Sequence, residues 1–194
     1  MWTLPNLLSL FRIAIIPALV YLLAFTDPTS ALLAAFLFLF ASLTDFLDGY
    51  LARRYGSVSN LGKILDPLAD KLIIVATLIM LTAMDRVGEP EVPAWLVVVV
   101  VARETAVTLL RGIALTEGIV MEAEELGKYK FFLQASAVFA LLIHYPYLGI
   151  DCYVVGVYFL VLATAVALWS GVNYHIKFFR LLQEKSNRAG HRAN

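Results

Sequence analysis

The sequence predicts an all-α integral membrane protein of six transmembrane helices, preceded by a short interfacial amphipathic helix, within a single domain spanning residues 1–194. Three observations carry this. First, 61% of the 194 residues are hydrophobic and 15% charged, with a mean hydropathy of +0.80, whereas soluble domains are roughly half apolar and about a quarter charged. Second, the apolar residues fall into six runs separated by turn or charge signals. Third, Lys and Arg gather in alternate connections. About 20 residues cross a bilayer, so the chain has no room for a large soluble second domain.

The amino-terminal segment Leu4-Pro5-Asn6 leads into Leu7-Leu8-Ser9-Leu10-Phe11-Arg12, an amphipathic stretch suited to the membrane interface. A cleaved signal peptide is not expected, since no basic residue precedes Arg12 and no small-residue cleavage pattern follows the apolar run. The apolar runs lie at about 13–26, 31–44, 72–84, 92–102, 131–150 and 153–176. Asp27-Pro28-Thr29-Ser30 separates the first two as a turn and helix cap. Gly88 to Pro93 forms a loop before the fourth, and Pro146 with Gly149 divides the last two. Several runs reach spanning length only by including charged neighbours. The second must continue through Asp45 and Asp48, the third begin near Gly62 and include Asp66 and Asp70, and the fourth run through Arg103, Glu104 and Arg111. Ionisable groups at that depth are costly and usually face a wet cavity or one another.

With a cytoplasmic amino terminus, Arg53, Arg54, Lys63, Lys128, Lys130, Lys177, Arg180, Lys185, Arg188 and Arg192 fall on the cytoplasmic side, and Arg86 alone lies outside. Both termini and all the anomalous charge then belong to the cytoplasmic half. The basic tail around Lys185 reads as a solvated end near anionic lipid. No clustered basic face suggests nucleic acid. The single cysteine, Cys152, excludes an internal disulfide and a multi-cysteine metal site. His144 and His175 lack a second ligand at metal spacing and read as interfacial, as do Trp95, Tyr145 and Tyr147. Gly156 and Gly171 would let backbones approach, either within the bundle or in a homodimer.

The chemistry lies in Asp45 to Arg53 and the segment that follows. Asp45, Asp48, Gly49 and Ala52 share one helix face at i, i+3, i+4 and i+7, and Asp66 and Asp70 are i and i+4 on the next helix. The short link between them makes the helices antiparallel neighbours, so four carboxylates converge. Such a cluster would take up protons unless hard divalent cations compensate it. Two ions, Mg²⁺ or Mn²⁺, of the kind that clamp a phosphoryl group in displacement, are the natural inference. A cation path through a transporter is the alternative, but it leaves the Gly49, Ala52 and Arg53 spacing without a purpose. Arg103 and Arg111, about 80° apart on one helix, with Lys128 and Lys130 on the next, would form a cationic pocket for a phosphate.

The pattern Asp45-x2-Asp48-Gly49-x2-Ala52-Arg53-x8-Gly62-x3-Asp66-x3-Asp70 resembles the signature of the CDP-alcohol phosphotransferases. Pro5 to Arg12, Ala102-Arg103-Glu104 with Arg111, and Gly127-Lys128-Tyr129-Lys130 with Gln134 resemble other segments of that family's members acting on glycerol 3-phosphate. The resemblance implies a bacterial cytoplasmic-membrane enzyme whose cavity opens to the cytoplasm. Its donor would be CDP-diacylglycerol and its acceptor glycerol 3-phosphate, or another alcohol such as phosphatidylglycerol. By the same resemblance, Asp45, Asp48, Asp66 and Asp70 would hold the two ions, Gly49, Ala52, Arg53 and Gly62 line the CDP pocket, and Asp70 serve as general base.

Overall fold

A computed structural model describes residues 4–55, 62–84, 92–119, 121, 126–146 and 149–193; within its helices the side chains of 4–5, 45–55, 62–64, 66–67, 126–128 and 186–193 lie outside the description. The described residues form six helices and no strand: α1 Leu4–Leu23, α2 Pro28–Tyr55, α3 Gly62–Ala83, α4 Ala94–Thr116, α5 Leu126–Ile143 and α6 Cys152–Ala193. Two are long and apolar enough to cross a bilayer, within Asn6–Leu23 and Cys152–Lys185, while Pro28–Thr44 and Tyr129–Ile143 are shorter apolar helices.

The expected interfacial helix is not a separate element, because α1 runs unbroken from Leu4 through Arg12 to Leu23. Its amphipathic stretch also faces the other way. Asn6, Ser9 and Arg12 are buried while Leu7 and Phe11 are exposed, so the polar stripe turns into the bundle and the apolar face outward. Further along, the same stripe becomes Ile15, Leu19 and Leu23, part of the main apolar core. One helix thus carries a polar buried end and an apolar buried end.

The helix ends follow local chemistry. Asp27 accepts the Ser30 backbone N–H at 2.9 Å and Pro28 occupies the first helical position, where no N–H is needed. That bond, with the Ser30 hydroxyl, holds the Asp27 carboxyl below its ordinary value. α4 stops in a Schellman turn: Gly118 takes φ 66°, Ile119 N–H reaches Ala114 C=O at 2.8 Å and Gly118 N–H reaches Leu115 C=O at 3.0 Å. Ile119 then buries beside Ala114. α5 ends sooner than the apolar run to residue 150 implies, because His144 adopts φ 60° and closes the last turn through Ala140 C=O at 3.0 Å. His144 is buried, not interfacial, with its ring edge-on to Tyr153. α6 starts where Asp151 accepts the Val154 N–H at 3.1 Å.

α6 exceeds its expected end near residue 176 and reaches Ala193. Its 42 residues make a rod of about 63 Å, roughly twice the hydrocarbon thickness. The buried seam Gly156, Leu160, Ala163, Ala167, Ser170 and Tyr174 repeats every three or four residues and packs first on α5, then on α4. Of the two glycines of this stretch, Gly156 and Gly171, the first is needed for close packing within the bundle. A Cβ on Gly156 would stand 2.6 Å from Leu141 Cγ of α5, and one on Gly171 would meet Arg103 of α4 at 3.5 Å. The basic tail is not wholly solvated either: Lys185 Nζ donates to Glu117 C=O at 2.6 Å and Oε2 at 2.9 Å, closing the carboxyl end of α4.

Candidate active site

The polar end of the bundle gathers around one cavity. It has a volume of ≈ 180 Å³ and is lined by Asp70 and Lys71 of α3, Glu104 and Arg111 of α4, and Lys130 and Gln134 of α5, with apolar neighbours. Each charged pair has a topological reason. Helix α1 packs on α3, which sets Arg12 against Asp70: the guanidinium is 1% exposed and pairs with a carboxylate that is 27% exposed. Asp70 is thus tied to α1 and also lines the cavity. Next to it, Lys71 Nζ donates to the Thr108 hydroxyl, which itself donates to Glu104 C=O at 2.7 Å.

On the facing wall, Lys130 forms an ion pair with Glu104; both are buried at 8% and 9% exposure. Arg111 leans on α6, where its Nε donates to the Tyr174 hydroxyl at 3.2 Å and its guanidinium stacks 5.6 Å from the ring centroid. Three cations thus meet two carboxylates around a space too small for a drug-sized molecule. Such a surplus of fixed positive charge, donated by an Arg fork and two ammonium groups, suits a compact phosphate.

Of the acceptor residues expected from sequence, Arg111 and Lys130 come together here with Asp70. Arg103 stands apart. It points between α4 and α6, where Nη1 donates to Glu104 at 2.9 Å, Nε to Ala167 C=O at 2.9 Å and Nη2 to the Ser170 hydroxyl at 3.3 Å. Its offset from Arg111 around α4 is what separates them. The side chains of Asp45, Asp48, Gly49, Ala52, Arg53, Gly62, Asp66 and Lys128 lie outside the described residues. Their backbones put the first five on the last turns of α2 and Gly62 with Asp66 on the opening turns of α3, helices that pack together. Among the described residues no group of three or more potential metal ligands assembles.

Lys71 and Arg12 are site residues that sequence reasoning passed over. Lys71 follows Asp70 directly and gives no spacing signal of its own; only the packing of α3 on α4 turns it toward Thr108. A second cavity, ≈ 850 Å³, runs between α4 and α6 along Ala102, Ala106, Leu168 and Val172. Though larger, it has no carboxylate in its described lining.

Residues 2–169 match the family described as CDP-alcohol phosphatidyltransferase. The chain is 45% identical over 156 residues to the CDP-diacylglycerol--glycerol-3-phosphate 3-phosphatidyltransferase of Bacillus subtilis (strain 168), covering 74% of this chain and 78% of that one. It is 37% identical over 175 residues to the enzyme of the same name from Rickettsia typhi, covering 90% and 96%. A CMP-forming cardiolipin synthase of Streptomyces coelicolor is 32% identical over 193 residues, covering 93% and 85%.

Proposed function

Because the chain belongs to the CDP-alcohol phosphatidyltransferase family, we propose that it transfers the phosphatidyl group of CDP-diacylglycerol to glycerol 3-phosphate, releasing CMP and phosphatidylglycerol phosphate. The observation that carries the acceptor is the small cavity in which Asp70 shares a wall with Lys71, Arg111 and Lys130. A phosphomonoester is compact enough for a space of this size, whereas the phosphate of a phosphodiester such as phosphatidylglycerol carries a second, bulky substituent.

Asp45, Asp48, Asp66 and Asp70 would hold two divalent ions, Mg²⁺ or Mn²⁺. The donor set fits: four carboxylates offer the hard oxygens these cations take, and Asp70, whose side chain is described, keeps a cavity-facing, partly exposed carboxylate. When bound, such ions supply Lewis-acid stabilisation of the donor pyrophosphate. The chain's own residues do the rest. Gly49, Ala52, Arg53 and Gly62 would accommodate the CDP moiety. Arg111, Lys71 and Lys130 hold the acceptor phosphate and so present its alcohol to Asp70. Asp70, its orientation fixed by Arg12, takes the hydroxyl proton as the oxygen attacks the lipid-linked phosphorus. The bond from that phosphorus to the CMP oxygen breaks and CMP leaves with the electron pair.

The reaction belongs in the bacterial cytoplasmic membrane, with six crossings, the cavity and both termini on the cytoplasmic side. Exposed Phe36, Phe40, Phe132, Tyr158 and Trp169 would face lipid there, since so much large apolar surface is unusual in water. Purified protein in detergent with CDP-diacylglycerol and Mn²⁺, offered glycerol 3-phosphate, serine, inositol phosphate or phosphatidylglycerol singly, tests the reading by CMP release. Release with glycerol 3-phosphate alone is expected. Release with phosphatidylglycerol instead would move the chain toward its cardiolipin-synthase relative, and no CMP with any acceptor, together with ion flux after reconstitution into sealed vesicles, would replace transfer by transport.

A further inference from the structure

We propose that Glu104 is a positioning residue of the acceptor pocket, holding the Lys130 ammonium where the acceptor phosphate binds; this rests on the function proposed above. Glu104 Oε1 is the meeting point of two cations on different elements, Arg103 at 2.9 Å and Lys130 of α5. Arg103 is itself fastened to α6 through Ala167 C=O and Ser170. A continuous polar chain therefore runs from α6 through Arg103 and Glu104 to Lys130, joining three helices behind one wall of the cavity.

Physical chemistry gives this chain a purpose. A lysine ammonium sits on a flexible four-carbon stem and needs a fixed partner to hold one direction. Here the neighbours of Lys130 include the further cations Arg103 and Lys71, which repel it, and Glu104 is the anion that offsets them before any phosphate arrives. The same carboxylate is poorly placed as a proton acceptor for the reaction, because one oxygen already receives two charged donors. Its backbone adds a second tie: Glu104 C=O accepts the Thr108 hydroxyl at 2.7 Å, and Thr108 accepts Lys71. Two of the pocket's three cations are thus referred to a single residue. Removing the Glu104 charge should loosen acceptor binding and leave the donor site, on the α2–α3 side, as it was.

Steady-state kinetics of Glu104→Gln, Lys130→Gln and the double variant test this. Glu104→Gln should raise the glycerol 3-phosphate KM roughly tenfold, the scale of one lost charge-assisted hydrogen bond, with the CDP-diacylglycerol KM unchanged. The double variant should be no worse than Lys130→Gln alone, since the two residues act as one unit. Glu104→Asp, which keeps the charge, should recover part of the loss. Equal rises in both KM values, a fall in kcat alone, or independent effects multiplying in the double variant would overturn the assignment. If Glu104→Gln does not fold, Glu104→Asp decides: a rise confined to the acceptor KM supports the role, and unchanged constants refute it. Thermal shift by inorganic phosphate separates this inference from its premise. A shift in the wild type that Glu104→Gln loses, without turnover on glycerol 3-phosphate, would sink the acceptor and keep Glu104; equal shifts in both would sink Glu104.

Discussion

Asp70 is held between two demands, a buried guanidinium on α1 and an open cavity toward α4 and α5. The ion pair with Arg12 orients the carboxylate, and its place in the cavity lining puts it within reach of a substrate hydroxyl bound there. Asp70→Asn keeps the shape and an oxygen for Arg12 but removes the proton acceptor. We expect kcat for CMP release to fall by roughly 10²–10⁴-fold, the usual contribution of a general base, while the protein still unfolds cooperatively in detergent. Wild-type turnover in that variant would end the base assignment. That Asp70 lines a polar cavity was legible in sequence, because ionisable groups at membrane depth are too costly to be incidental. Arg12 was not, since a cation closing an amphipathic stretch looks the same whether it faces lipid headgroups or a buried carboxylate. What decides is the register of α1 on α3, and no spacing within α1 encodes it. Lys71 was hidden for the same reason.

Helices come together here at different distances, and the small residues record it. Gly156 lies where a Cβ would fall 2.6 Å from Leu141 Cγ and 2.9 Å from its backbone nitrogen, so α5 and α6 would have to separate. Gly156→Ala should destabilise by about 1–3 kcal/mol, read as a lowered Tm in detergent. Gly171→Ala, whose new methyl would meet Arg103 at ordinary van der Waals distance, should leave Tm near wild type. A wild-type Tm in Gly156→Ala would show that this contact is not tight. The six helices themselves were legible from apolar runs and punctuation. Their ends were less so: hydropathy counts residues through 150 as one run, yet a left-handed backbone at His144 stops α5. Conversely, charge marks the end of a membrane crossing but not of a helix, so α6 continues past Lys177 to meet Glu117 through Lys185.

Across the whole molecule, charge and hydropathy are segregated along the bundle. The main apolar core joins Leu19, Leu23, Leu81, Leu96 and Leu142, whereas Arg12, Asp70, Glu104 and Lys130 fill the other end. A bilayer accommodates such a body with its polar end toward the side where Lys and Arg collect. The chain has one cysteine, Cys152, partly exposed at the start of α6, and this makes orientation measurable. In sealed right-side-out vesicles a membrane-impermeant maleimide should label Cys152, and should label Gln183→Cys in a Cys152→Ser background only after permeabilisation; the reverse pattern would invert the topology. The central claim is that the polar end joins a lipid phosphorus to glycerol 3-phosphate. Its most direct measurement is the incorporation of carbon-labelled glycerol 3-phosphate into extractable lipid by the purified protein with CDP-diacylglycerol and Mn²⁺. The account predicts labelled lipid and CMP in equal amounts, and CMP formed without labelled lipid, or neither product, would contradict it.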